Sequence, residues 1–152
     1  MRGLANGTVY HGHARFESAR TVRVNDELLE ADKIFINVGA RALVPPMPGL
    51  EQARYLTNSS MMEVDFLPQH LVIIGGSYIG LEFAQMYRRF GSDVTIVEKA
   101  PRVIAREDED VSEAIRKILE GEGVRLRLNA ECISVHKKED GIAVGLDCAE
   151  AS

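Results

Sequence analysis

Cysteine is scarce in this chain: only Cys132 and Cys148 occur among 152 residues, and they form no C-x-x-C pair. Their wide separation reads as two free thiols of a reducing, cytoplasmic compartment, with a disulfide between them as the alternative. Long hydrophobic runs are missing too. No apolar stretch approaches the length that crosses a bilayer, and the N-terminus has no signal-peptide core, so no membrane partner is expected. Basic character is equally thin. Lys and Arg number 18 against 23 Asp and Glu, a net charge of −5, and the absence of any basic block argues against nucleic acid as a partner. His11 and His13 alternate along a strand-like segment with no third ligand nearby, so they read as surface histidines and no metal site is expected.

What is present has the make-up of a globular domain, 45% hydrophobic and 27% charged, in a chain long enough to bury a core. The first third is β-like. Thr8 to Phe16 and Thr21 to Val24 are strand candidates separated by a turn at Glu17. Asn25-Asp-Glu-Leu resembles a hairpin turn, and Leu28 to Glu30 a short returning strand. Lys33 to Gly39 reads as a near-continuous apolar strand of the buried type. Pro45, Pro46 and Pro48 then exclude both helix and central strand. This stiff connector, residues 44–50, separates a segment 1–43 from a segment 51–152.

Beyond the connector, Ser59 to Val64 suits a short helix capped by Ser59 or Ser60, with Pro68 ending the element. A helix over about Asp110 to Glu120 carries Glu107-Asp-Glu-Asp110 near its N-terminus, where the dipole favours acids. Helix capping accounts for that acidic run better than metal binding does. Val111, Ile115, Ile118 and Leu119 form the expected buried face, and Gly121 or Gly123 closes the helix. Val124 to Leu128 reads as a strand. Cys132 to Lys137 and Ile142 to Leu146 read as a hairpin around Glu139-Asp-Gly141.

The densest information lies in Leu71-Val-Ile-Ile-Gly-Gly-Ser-Tyr-Ile-Gly80-Leu-Glu82, followed by Val94-Thr-Ile-Val-Glu98. The order is strand, glycine turn, helix, and a second strand ending in an acid: the first half of a dinucleotide-binding βαβ unit. Gly75 permits the sharp turn, and Gly80 lets the helix pack close to the sheet. The helix N-terminus offers free N–H groups to a pyrophosphate. Glu98 stands where a carboxylate accepts hydrogen bonds from the adenosine ribose, which favours NADH over NADPH because a 2′-phosphate is repelled there. In G-x-G-x-x-G aligned on Gly75 and Gly80, Ser77 replaces the second glycine, a small residue that reads as a tolerated variant. A strand-turn-helix that binds nothing is the bland alternative. On the helix, Ile79, Phe83, Met86 and Phe90 form the expected apolar stripe, and Gly91 its C-terminal stop after Arg88 and Arg89. The fold class that follows is α/β, a Rossmann-like βαβ dinucleotide-binding domain on a parallel sheet, with a β-meander and a hairpin. Leu71–Ile74 should be paired on both edges, by Val94–Val97 and by some further cover: Lys33–Val38, a symmetry mate or a dimer partner.

Lys33-Ile-Phe-Ile-Asn-Val-Gly-Ala40, Pro45-Pro-Met-Pro-Gly49, Leu67-Pro68, Gly75 to Glu82, Glu98 and Asp108 fall in an order that resembles the class I pyridine nucleotide–disulfide oxidoreductases. These are FAD flavoproteins such as dihydrolipoamide dehydrogenase, glutathione reductase and mercuric reductase. The resemblance implies an NAD-binding piece of a larger parent, with residues 1–43 the end of an FAD-domain segment and residues 51–152 an NAD(H)-binding domain lacking its last strand. It implies cofactor contacts from Gly75, Gly76, Ser77, Tyr78, Ile79, Gly80, Glu82 and Glu98. Tyr78 resembles the gate residue over the flavin ring, and Glu82 the acid that pairs with a lysine beside the flavin. As bland alternatives, Tyr78 is a surface aromatic and Glu82 an acid near a helix start. Cys132 holds the place of a small apolar residue over the adenine. Gly39 resembles the turn glycine near the adenosine of FAD, although Asn37-Val38 departs from the usual Ala-Thr or Ser-Thr before it. Partners implied are the remaining FAD and interface domains, in a homodimeric parent.

The family's FAD fingerprint, its C-x-x-x-x-C redox pair and its C-terminal His-Glu pair do not occur in this sequence. Hydride transfer needs the flavin, and disulfide exchange an activated dithiol. The chain alone is therefore expected to be non-catalytic and to bind no FAD, with no catalytic residue of its own. The alternatives are a flavoprotein lacking the redox disulfide, of NADH oxidase or ferredoxin reductase type, and a stand-alone nucleotide-binding module.

Overall fold

A computed structural model describes residues 6–139 and 141–146. Met1, Asp140 and Cys148 lie outside the described residues. The chain divides into two units after Arg41.

The first unit holds an antiparallel meander of β1 (Ala14–Phe16), β2 (Thr21–Val24) and β3 (Glu27–Glu30). Arg15 sits opposite Arg23 in the register, and Glu17 offsets the two facing cations by accepting from Arg23 at 2.7 Å and Arg15 at 3.2 Å. The β2–β3 turn places Asn25 at φ 54°, a left-handed position that asparagine tolerates. Two expectations fail in this unit. β1 is shorter than Thr8–Phe16, and residues 33–39 form no strand. Phe35 is 90% exposed. A strand of the parallel type needs neighbours for its backbone N–H and C=O groups, and among the described residues nothing pairs with 33–39.

The second unit is built on a parallel sheet, β4 (His70–Ile74), β5 (Asp93–Val97) and β6 (Arg125–Arg127), in that order. Ile73 faces Ile96, and Ile96 faces Leu126. Two helices connect the strands: α2 (Tyr78–Phe90) between β4 and β5, α3 (Glu109–Gly121) between β5 and β6. Before them, α1 (Asn58–Met61) has Thr57 as its N-cap rather than Ser59 or Ser60, in a capping box with Ser60 whose Oγ accepts the Thr57 N–H at 2.8 Å. The hairpin β7 (Ser134–Lys138) and β8 (Gly141–Gly145) closes the unit. The proline connector meets it where the Val135 N–H donates to the Pro48 carbonyl at 2.8 Å.

β5 is the central strand and buries both faces, as parallel strands do. Val94 and Ile96 join Leu81, Ala84 and Tyr87 of α2 and Leu119 of α3 on one face. Val97 meets Ala130 and Ile133, with Val72, Val144 and Leu146 against them, on the other. The stripe that α2 buries is thus Leu81, Ala84 and Tyr87, with Phe83 and Met86 partly covered, while Ile79 and Phe90 are exposed. Reading the stripe by side-chain size overlooked Ala84, which is fully buried. On α3, Val111 and Ile118 are exposed, and Ser112 and Leu119 are the buried positions. Gly91 ends α2 at φ 110°, and Gly123 follows α3 at φ 86°, both left-handed positions suited to glycine.

β4 has β5 on one side and no strand on the other among the described residues. Lys33–Val38, one cover expected for it, forms no strand.

Candidate functional site

The site begins where β4 ends. Gly75 takes φ 113°, and its N–H donates to the Val97 carbonyl at 2.8 Å, which ties the turn to the end of β5. Gly76 is buried. A Cβ there would stand 3.1 Å from Glu98 Oε2, so the acid occupies the space that a side chain would need. Ser77 is the N-cap of α2 in an extended conformation, and its side chain makes no capping hydrogen bond. The first N–H groups of a helix have no partner within it. The amides of Tyr78, Ile79 and Gly80 therefore face the turn without a capping hydroxyl. A Cβ on Gly80 would run into the Gly75 carbonyl oxygen and lie 3.2 Å from Ile73 Cγ2. That contact is the close helix–strand approach that the glycine at this position permits.

Glu98, directly after β5, is the acid of the site. Its Oε2 accepts the Gly76 N–H at 2.5 Å and its Oε1 the Ala100 N–H at 2.8 Å. Its backbone is pinned as well, the N–H donating to the Arg127 carbonyl at 2.8 Å and the carbonyl accepting from Ala130 at 3.0 Å. Each carboxylate oxygen keeps a lone pair for a further donor. Gly75, Gly76, Ser77, Gly80 and Glu98 are thus brought together. Tyr78, 63% exposed, and Glu82 lie four residues apart on α2. Both line one apolar groove with Ile104, Val111 and Ile118. Ile79 is exposed on the same first turn.

Two further sequence-derived residues belong to other segments of the chain. Gly39 belongs to the first unit, at φ 68°. Cys132 is half-buried in the segment that leaves β6. It is disulfide-bonded, which corrects its reading as a free thiol. Among the described residues no group of three His, Cys, Asp or Glu could hold a metal, and no helix is long and apolar enough to cross a membrane.

Sequence reasoning missed the loop after Glu98. The Ile104 N–H donates to the Gly76 carbonyl at 2.7 Å, and Ser112, buried on α3, donates from Oγ to the Val103 carbonyl at 2.7 Å. A lone serine in a helix gives no sequence signal of this kind, and an isoleucine signals against the backbone found at Ile104.

Residues 4–150 match the pyridine nucleotide-disulphide oxidoreductase family. The chain belongs to that family. Membership makes it part of an oxidoreductase enzyme family. Among its relatives, the probable pyridine nucleotide-disulfide oxidoreductase RclA of Escherichia coli is 38% identical over 99% of this chain and 35% of its own length. The RclA structure, an HOCl-induced flavoprotein disulfide reductase, superposes with a TM-score of 0.69 over 93% of this chain and 32% of that one. Dihydrolipoyl dehydrogenase of Thermus scotoductus is 32% identical over 99% of this chain and 33% of its own length. A water-forming NADH oxidase from Lactobacillus brevis, solved with NADH, has a TM-score of 0.61 at 25% identity, over 83% of this chain and 31% of that one. The chain thus spans about a third of these oxidoreductases.

Proposed function

We propose that this chain is the NADH-binding part of an FAD-dependent oxidoreductase. Residues 51–152 carry the nucleotide site, and residues 1–43 belong to the end of an FAD-domain segment. The observation that carries the reading is Glu98, held against the glycine turn by the Gly76 and Ala100 amides with acceptor capacity to spare. An acid so placed suits the two ribose hydroxyls of NAD and repels a 2′-phosphate. The residues present fit the rest of the nucleotide. Gly75, Gly76 and Ser77 with the uncapped amides of Tyr78, Ile79 and Gly80 receive the pyrophosphate at the positive end of α2. Tyr78 covers the nicotinamide side, with Glu82 one turn further on, and Cys132 borders the adenine. Gly39 adjoins the adenosine of FAD.

NADH supplies a hydride to the flavin of the full-length protein. This chain's share is to bind the nucleotide, orient it and exclude NADPH. Its partners are the remaining FAD and interface domains, in a homodimer. Calorimetric titration of the protein with NADH and NADPH tests the reading. NADH binding at least as weak as NADPH binding would overturn it. In the full-length protein, Tyr78→Ala is expected to change flavin reduction by NADH in stopped-flow while leaving flavin content alone. An unchanged reduction rate returns Tyr78 to an ordinary surface aromatic.

A further inference from the structure

The glycine turn is held from outside itself. Ile104 has φ 40°, a left-handed backbone that a β-branched side chain adopts only where its surroundings enforce it. The enforcement is visible on both sides. The Ile104 N–H donates to the Gly76 carbonyl at 2.7 Å, and the Ile104 carbonyl accepts from the Glu107 N–H at 2.8 Å. The residue before it is anchored too. Val103 is fully buried, and its carbonyl accepts from Oγ of buried Ser112 at 2.7 Å. The Ile104 side chain packs against the core cluster shared by α2, β5 and α3, and that packing offsets the backbone strain.

Gly76 is consequently held at both of its polar groups, its N–H by Glu98 and its carbonyl by Ile104. No peptide bond is cis among the described residues. In a trans peptide the carbonyl and the following N–H point in opposite directions. With the Gly76 carbonyl fixed on Ile104, the Ser77 N–H is aimed the other way. Reversing that peptide would present a carbonyl oxygen where an anion is to be received, and remove a donor.

We propose that Ile104 is a positioning residue for nucleotide binding: the Val103–Ile104 strap, anchored by Ser112, fixes the Gly76–Ser77 peptide with its N–H toward the pyrophosphate. The proposal rests on the reading of this turn as the pyrophosphate site. The strap acts on the phosphates and not on the adenosine, which separates it from a general structural role.

The test is calorimetric titration of the intact protein with NADH and ADP, with adenosine followed by ligand-detected NMR. Ile104→Pro removes the N–H and cannot adopt the positive φ. It is expected to weaken NADH and ADP by about tenfold, the worth of one lost buried hydrogen bond, and to leave adenosine within about twofold. Ile104→Gly and Ile104→Asn keep the N–H and tolerate the left-handed backbone. Both should retain ADP binding even as they lower the melting temperature through lost packing. Ser112→Ala, which frees the strap without touching its backbone, should weaken ADP selectively and gives the test if the proline variant does not fold. Equal losses for ADP and adenosine, or ADP binding unchanged in both Ile104→Pro and Ser112→Ala, overturn the proposal. A wild-type protein that binds no NADH overturns the reading beneath it instead.

Discussion

Glu98 does two jobs with one carboxylate. It satisfies the Gly76 and Ala100 amides, and in the proposed complex it also accepts from ribose. Glu98→Ala therefore leaves two amides without an acceptor, at a cost of about 1–3 kcal/mol for each that stays dry. It also removes the repulsion toward a 2′-phosphate. The expected result is weaker NADH binding and a narrower NADH-to-NADPH ratio in calorimetry, with the ratio as the informative number. Gly80→Ala tests the close approach of α2. The added methyl meets the Gly75 carbonyl and Ile73, neither of which can swing aside as a long side chain would. Overpacking of this kind costs about 1–3 kcal/mol, so thermal melting should drop and nucleotide binding fall with it; an unshifted melting temperature would mean that the helix slides freely. At this scale the geometry of the turn was largely legible: the spacing of Gly75, Gly80 and Glu98 indicated the left-handed turn, the close helix approach and the acid that meets the turn. Ile104 was illegible because a β-branched side chain argues against the backbone that it adopts, and only packing from three elements enforces it.

Among the elements, the ends of α2 and α3 meet at one acid. Glu122, just past α3, accepts from Arg89 at 2.7 and 3.0 Å and from Gln85 at 2.8 Å, while Arg88 donates to the Glu122 carbonyl at 3.0 Å. The hydrogen bond from Arg89 first, and that from Gln85 after it, hold the Glu122 carboxyl below its ordinary value of 4.5. A group depressed on folding contributes stability that is fully present above its unfolded value and is lost as pH falls through the folded one. Melting measured across pH should therefore decline below about 4.5, and Glu122→Gln should flatten that acid limb. Glu113, pulled down to about 2 by its hydrogen bond with Arg116, extends the same loss to lower pH. A wild-type acid limb unaltered by Glu122→Gln would show that the pairing is too solvated to matter. The βαβ order, α3 and the last hairpin were readable as elements because glycine punctuation brackets them, although the period placed Val111 and Ile118 of α3 on the wrong face. Residues 33–39 were misread because an apolar run declares a strand's composition, not whether a neighbour exists to complete its hydrogen bonds.

For the molecule as a whole, apolar sequence and covered surface part company over 33–47. That stretch is in no helix or strand, yet it carries Phe35 and Leu43, each 90% exposed. The two units on either side, divided after Arg41, have hydrogen-bonded sheets of their own. To a protease such a stretch is a substrate: cleavage requires a segment that can be drawn into an extended pose, and here extension costs no ladder of hydrogen bonds. Brief digestion of this chain with chymotrypsin should cut first after Phe35 or Leu43, and mass spectrometry should find the β4–β6 unit surviving whole. A first cut within α2 or β5 would reverse the order of local stability. The same bond that breaks first would yield the proposed nucleotide site as a separate, smaller protein.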